Sequence, residues 1–298
     1  MIEKLQMFIA LANEQHFGRA AEICGVTQPT LSSAIKQLEG ELGVQLVWRG
    51  SRFQGLTPEG QRVLGWAQRI VADARNLKAE MRAARKGLSG DLRIGVIPTA
   101  LPMVADLTAP FLRRHPGMRV AVLSRSSAEI LDQMAGLKLD AGITYLDNEP
   151  LGRVTALPLF DEGYQLLVGA DSSWARAARI GWEDVSRMPL CLLSTDMQNR
   201  RIIDRHLSAA GARADAAVES NSVIALVAHV LKGDRASVIP DRTAALFARD
   251  GRLAAVPIEA SGPRYRVGLV APFRQPHTPV IAALLDEARR IGEACAPA

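Results

Sequence analysis

Thr27, Gln28, Thr30, Ser32, Ser33, Lys36 and Gln37 crowd one short stretch of the sequence. Leu31, Ile35, Leu38 and Leu42 are threaded through it at spacings of four, three and four. The leucine and isoleucine positions form the apolar stripe of a helix. The others form its opposite face, made of amides, hydroxyls and an ammonium with almost no acid. Such a face can hydrogen-bond base edges and neutralise phosphates, and the major groove of duplex DNA admits one helix.

That helix needs a platform. Leu5, Phe8, Ile9 and Ala12 share a face of a first helix, and Ala20, Ala21 and Cys24 turn inward from a second over residues 18–24. Gly25-Val26 makes a tight turn. Thr27 caps the next helix, and Pro29 is tolerated in its first turn, where amides have no intrahelical partner. Two short helices joined in this way describe a helix-turn-helix. After Gly43, the segment Leu46-Val-Trp-Arg-Gly-Ser-Arg-Phe-Gln-Gly-Leu56 reads as a two-stranded wing. Arg49 and Arg52 near its tip suit phosphate or minor-groove contact. A plain three-helix packing module with solvated arginines would use the same residues.

Thr57-Pro58-Glu59 starts a further helix with a cap, a proline and an acid. Val63, Ala67, Ile70, Ala74, Leu77 and Met81 then repeat at four, three, four, three and four. This is the spacing of a coiled-coil seam between two copies, and also of a helix laid along its own domain. Residues 1–90 hold 12 Lys+Arg against 8 Asp+Glu, and residues 91–298 hold 24 against 23. The basic excess of a chain of net charge +5 therefore sits in its first third. Cys24, Cys191 and Cys295 offer neither a disulfide framework nor a CxxC pair, which fits a reducing, cytoplasmic compartment. Glu3 and Glu14 argue against a signal peptide, and no apolar run is long enough to predict a membrane span. The five scattered histidines have no metal-ligand spacing, so no metal and no cofactor is expected.

Past the linker-like Gly87-Leu-Ser-Gly90 the pattern changes. Short β-branched runs at 91–97, 119–124, 140–145, 165–169, 189–193, 237–239 and 267–271 read as strands. Helical stretches at 103–114, 128–137, 199–210, 223–232 and 278–293 fall between them. Alternation of this kind predicts parallel α/β sheets. About 200 residues is long for one such sheet, so two lobes with a crevice between them are expected. The lobes should be joined by crossovers near 158–162 and 264–267.

The first third resembles the LysR-type transcriptional regulators. The resemblance rests on His16-Phe-Gly-Arg-Ala-Ala-Glu22, Val26-Thr-Gln-Pro-Thr-Leu-Ser32, Ile35-Lys-Gln-Leu-Glu39, Leu42-Gly-Val-Gln-Leu46, Arg49 and Leu56-Thr-Pro-Glu-Gly60. It is specific over residues 1–65 and architectural beyond them. The resemblance implies an α/β protein with an all-α winged helix-turn-helix N-terminal domain and a two-lobed, periplasmic-binding-protein-like effector domain. The winged domain would span 1–58, the dimerising linker helix 59–87 and the effector domain 91–298. Lobe I would comprise 91–161 and 267–298, and lobe II 162–266. The expected DNA-facing residues are Arg19, Thr27, Gln28, Pro29, Thr30, Ser32, Ser33 and Lys36, with Arg49 and Arg52 from the wing. Ser33 departs from the family pattern, in which arginine is common at this place. The implied partners are double-stranded promoter DNA, a small-molecule effector, further copies of the chain as a dimer of dimers and, at the promoter, RNA polymerase.

In two-lobed α/β domains, ligands sit beyond the C-terminal ends of strands and near helix N-termini. That rule selects Thr99 and Ala100 after the first strand, Ser126 and Ser127 after the second, and Thr144 after the third. In the second lobe it selects Gln198, Asn199 and Arg200, then Asn221, then Pro240. Arg200 could neutralise a carboxylate, and the effector expected is a small, anionic metabolite. The segments 97–103 and 144–150 are similar to those of regulators found beside formate dehydrogenase operons, which suggests a formate or one-carbon pathway. Three other classes stay open. A redox sensor would have only Cys191 in its second lobe, inside an apolar run. An enzyme would lack GxSxG, P-loop and post-strand GxGxxG motifs. A pure binding protein would use its helical arm to dimerise and would ignore DNA.

Overall fold

Helices α1 (Ile2–Glu14), α2 (Phe17–Cys24) and α3 (Gln28–Leu42) close around Phe8, Leu11, Leu31 and Leu38, which are all shielded from solvent. The computed structural model describes residues 1–48, 53–147, 150–213, 215–259 and 264–295. The His16 ring caps α2, accepting from the Gly18 and Arg19 amides. Thr27 Oγ1 caps α3 by accepting from the Thr30 amide. The Glu39 carboxylate accepts from the Leu46 and Val47 amides at 2.8 and 3.3 Å, fixing the chain as it leaves α3. Val47 then bridges Leu56 antiparallel, and the Trp48 amide donates to the Gly55 carbonyl. Arg49 and Arg52, at the tip of the expected wing, lie outside the described residues.

Thr57 starts α4 (Pro58–Lys86), with its hydroxyl donating to the Gln45 carbonyl and accepting from the Gly60 amide. The expected seam along α4 divides. Ala67 is fully buried and Val63 half-buried, and both pack into the core that α1 to α3 share. A repeat read from sequence cannot say which apolar face it meets, and here α1 takes its first turns. Ala74 is half-buried, whereas Ile70, Leu77 and Met81 stay exposed, joined by Trp66.

The first lobe holds a five-stranded sheet. Its strands are β1 (Ser89–Val96), β2 (Gly117–Ser124), β3 (Ala141–Tyr145), β4 (Val154–Glu162) and, from the chain's end, β10 (Tyr265–Pro272). The order is β2-β1-β3-β10-β4, parallel through β2, β1 and β3, with β10 antiparallel to both its neighbours. Helices α5 (Val104–Arg114), α6 (Ser127–Ala135) and α11 (Pro279–Cys295) contribute buried side chains to its core.

The second lobe centres on β5 (Tyr164–Gly169), flanked by β8 (Ser237–Pro240) and β9 (Leu253–Pro257), both antiparallel to it. Strands β6 (Leu190–Leu193) and β7 (Ala216–Ser220) form a parallel pair beside them. Helices α7 (Trp182–Ser186), α8 (Gln198–Ala209), α9 (Val223–Val230) and α10 (Asp241–Phe247) complete the lobe. The sheets are thus mixed rather than parallel, because the chain crosses twice between lobes and each return runs antiparallel.

Lobe I meets the helix-turn-helix directly. Asn13 Nδ2 donates to the Gly136 carbonyl, Lys138 pairs with Glu14 at 3.3 Å, and Leu137 packs against the helix-turn-helix core. Leu137 has φ 59°, a left-handed conformation costly for a branched side chain. Among the described residues no helix is long and apolar enough to cross a membrane.

Candidate functional site

Two sites follow from this frame. On α3, Gln28, Pro29, Thr30, Ser33 and Lys36 are exposed along one face, and Ser32 is half-buried beside them. Thr27 is exposed, but its hydroxyl is engaged in the cap. Arg19 is exposed on α2 and tied back, donating to the Glu14 carbonyl at 2.8 Å. The acids of α3, Glu39 and Glu41, fall in its C-terminal part. The half of the helix that could enter a groove is therefore free of repelling charge.

The second site lies between the lobes. A cavity of about 10 Å³, close to the room one water needs, is lined by Thr99, Ser127 and Tyr145 from lobe I and by Met197, Gln198 and Asn199 from lobe II. Hydrogen bonds cross the cleft around it. Gln198 Nε2 donates to the Asp147 carbonyl at 3.0 Å, Asn199 Nδ2 to the Tyr145 hydroxyl at 3.4 Å, and the Thr243 hydroxyl to the Thr99 carbonyl at 3.1 Å. Ser127 Oγ and Gln198 Oε1 are buried here without a partner.

Behind the cavity a buried polar network fills the hinge. The Tyr145 hydroxyl donates to Glu162 at 2.5 Å and lies 3.3 Å from the Tyr164 hydroxyl, while Asn199 also donates to Tyr164. Glu162 ends β4 and Tyr164 opens β5, so the network sits at the first crossover. At Gly163 between them a Cβ would lie 2.8 Å from the Arg264 guanidinium of the second crossover, which would have to shift. Burial pushes the Glu162 carboxyl up to about 8, although Tyr145 and Tyr164 pull it down by hydrogen bonding. Asp241 pushes it further up and Arg264 pulls it down. Glu162 is therefore largely protonated near neutral pH. Burial likewise raises the phenols of Tyr145 and Tyr164.

Of the residues expected at the effector site, Thr99, Ser127, Gln198 and Asn199 meet at the cavity. Asn221 lines an outer chamber of the same cleft. The others are elsewhere. Ser126 is consumed in a capping box with Glu129. Ala100 is buried in the turn after β1, Thr144 within β3 and Pro240 at the end of β8, none of them facing the cavity. Arg200 is buried and donates to the Leu193 carbonyl, Asp204 and Glu219, so its guanidinium is satisfied inside lobe II instead of neutralising a ligand. Sequence reasoning did not select Tyr145, Glu162, Tyr164 or Thr243. Tyr145 and Glu162 fall in segments it marked, but neither residue type signals a hinge network.

Comparison with known proteins identifies the frame. Residues 2–61 match the family profile of the bacterial regulatory helix-turn-helix protein, lysR family, and residues 85–292 match the LysR substrate binding domain. The chain belongs to the LysR family. This LysR-type chain is 32% identical over 274 residues to a probable hydrogen peroxide-inducible genes activator of Mycobacterium avium, covering 90% of this chain and 87% of that one. It is 30% identical over 270 residues to the DNA-binding transcriptional dual regulator OxyR of Escherichia coli strain K12, covering 90% and 88%. Its fold superposes on a full-length OxyR point variant from Pseudomonas aeruginosa with a TM-score of 0.74 at 30% identity, covering 97% and 94%. The chain is a LysR-type DNA-binding transcriptional regulator, and its relatives are regulators, not enzymes.

These relatives also correct the formate reading, because they are hydrogen peroxide-inducible activators and not formate regulators. The two segments that suggested it both reach the inner cavity, through Thr99 from one and Tyr145 from the other. Residues 98–103 form a 3-10 turn whose Pro98, Thr99 and Ala100 are buried, and Asn148 and Glu149 lie outside the described residues.

Proposed function

We propose that this regulator binds promoter DNA through α3 as a homo-oligomer, a dimer of dimers, and that a small polar metabolite with an anionic head, held between its lobes, adjusts that binding. Residues 1–58 form the DNA-binding unit, 59–87 the dimerising arm and 91–298 the effector unit, in the cytoplasm. RNA polymerase is met at the promoter. The effector reading is carried by one observation: Ser127 Oγ and Gln198 Oε1 are buried and unpartnered, and the two residues line one cavity from different lobes. Buried polar atoms without partners are costly, and a ligand that satisfies both favours the closed cleft.

The relatives take their name from peroxide. In this chain Cys191 is buried within β6 and burial pushes its thiol up, so it is poorly placed to present a thiolate to an oxidant. Among the described residues no cysteine lines the cavity. We therefore read a binding signal rather than a thiol oxidation.

Genome-wide footprinting of the purified protein at roughly 0.1–0.2 M salt tests the regulator reading, since non-specific phosphate binding is already weakened there. Discrete dyad-symmetric sites are expected. Lys36→Ala should weaken all of them alike and reduce the salt slope by about one. Uniform binding that vanishes with salt overturns the reading.

A further inference from the structure

We infer that the outer chamber of the inter-lobe cleft takes a free α-amino acid with an apolar side chain. The inference rests on the cleft being the effector site and assigns the chemistry that would fill it.

Size places the ligand. The inner cavity has room for about one water, so the body of a metabolite held between the lobes lies in the outer chamber. That chamber has a volume of about 570 Å³, within the range of small-molecule pockets.

Charge selects the head group. Arg125 and Glu129 both line the chamber, and among the described residues no other charged side chain does. They flank the start of α6, and each is bound to neutral partners instead of to the other. Arg125 donates through Nε to Gln133 Oε1 at 3.3 Å and through Nη1 to the Ser124 carbonyl at 2.7 Å. Glu129 Oε2 accepts from the Ser126 amide at 2.8 Å. These bonds hold both groups in place and use neither Nη2 of Arg125 nor Oε1 of Glu129. A lone anion in the chamber would meet Glu129, and a lone cation would meet Arg125, so neither is favoured. A zwitterion with both charges on one carbon answers both, its carboxylate taken by Arg125 and its ammonium by Glu129. Asn221 and Ser222 of lobe II bring an amide and a hydroxyl to the same chamber, further donors for the carboxylate.

The walls select the side chain. Leu101 and Pro102 from lobe I and Val223, Ile224, Leu246 and Phe247 from lobe II are apolar. Ile224 is 71% and Leu246 39% exposed, so apolar surface lies open to water at the chamber. An aliphatic side chain that covers it gains burial against both lobes at once, which favours their closure. A charged side chain would find no third charge to pair with.

Calorimetric titration of the full-length protein with L-leucine, 4-methylpentanoate, 3-methylbutylamine and glycine tests each part. Leucine should bind at least tenfold tighter than 4-methylpentanoate, which lacks the ammonium, and than 3-methylbutylamine, which lacks the carboxylate. Glycine should be weaker than leucine by roughly three- to fourfold per carbon removed. Glu129→Gln keeps an acceptor for the Ser126 amide, because glutamine also closes a capping box, and should erase the advantage of leucine over 4-methylpentanoate. An advantage that survives in this variant overturns the assignment of the ammonium to Glu129. Equal affinity of leucine and either one-charge analogue for the wild-type protein, which needs no variant to fold, overturns the zwitterion. Equal affinity for glycine overturns the apolar wall, and absence of binding by every member overturns the whole class. Footprinting with and without leucine keeps these failures apart from failure of the effector reading: binding in the expected order that leaves the footprint unchanged overturns the effector role and leaves the chemistry of the chamber standing.

Discussion

Glu162→Gln should make the protein's stability less sensitive to pH, and the structure gives both sign and size. The carboxyl is 1% exposed and its pKa is raised from 4.5 to about 8 by burial. Between those values the folded protein holds a proton that the unfolded chain has released. The native state thus binds more protons, and stability falls as pH rises through that window. The full contribution is present below about 4.5 and is lost by the time pH passes about 8. Each pH unit inside the window is worth about 1.4 kcal/mol. For a unit of 150–250 residues this corresponds to roughly 3–5 °C in Tm. Glutamine keeps the shape and an acceptor for the Tyr145 hydroxyl but carries no proton to lose. Differential scanning calorimetry of both proteins at pH 5.5 and 7.5 isolates the effect, since other titrating groups cancel in the difference. The variant should gain roughly 5–10 °C on wild type between the two conditions. A difference that does not change with pH would show that Glu162 is ionised or hydrated in the folded protein, and the hinge network would have to be redrawn.

Three other outcomes follow from the geometry. Arg200→Met should lower the stability of lobe II by about 2–3 kcal/mol, mostly by stranding the Leu193 carbonyl, because Asp204 and Glu219 are partly exposed and screened. Urea unfolding measures this, and an unchanged midpoint with lost effector binding would return Arg200 to the ligand. Gly60→Ala would put a Cβ 2.1 Å from the Leu46 carbonyl oxygen, where backbone must move. It should cost about 3 kcal/mol or more and abolish DNA binding, and a normal melting curve with full operator affinity counts against that packing. Leu77→Glu should dissociate the oligomer in sedimentation while leaving the fold intact, whereas Ala67→Glu should unfold the helix-turn-helix instead, since only Leu77 is exposed.

The helix-turn-helix was legible because its signals are local. Thr27, Pro29, Gly25 and the Leu31–Ile35–Leu38 stripe each act within a few residues, and α3 forms where they place it. The lobes were legible only in part. Strand β4 escaped notice because Pro158 lies within it, and an edge strand beside a bulge tolerates a residue that a central strand does not. Strands β7 and β9 are short and rich in alanine, which reads weakly as strand. Half of the residues expected at the cleft do line it, because strand ends and helix starts are sequence-local. Arg200 was misread because its burial depends on Asp204 one turn on and Glu219 on another strand. The Tyr145–Glu162–Tyr164–Asn199 network was not legible, since its members meet only when two lobes close.

Helix α6 connects the two sites by covalent geometry. It begins at Ser127 on the inter-lobe cavity and runs nine residues, about 13 Å at 1.5 Å per residue. Its far end delivers Gly136 to Asn13, Leu137 to the helix-turn-helix core and Lys138 to Glu14. A short, capped helix transmits displacement better than it absorbs it, so a ligand that repositions Ser127 must either bend α6 or move the corner at 136–138. Bending is opposed by Ile130 and Met134, which are buried in the lobe I core. The corner is the weaker end. Its polar contacts with α1 are an exposed ion pair, worth little on its own, and one hydrogen bond at 3.3 Å. Leu137 also holds a left-handed conformation, set by the Lys138 amide donating back to the Gln133 carbonyl. Strain and weak contact thus coincide where lobe I touches the DNA-binding helices, and the low-energy response to a filled cleft is a shift at that joint.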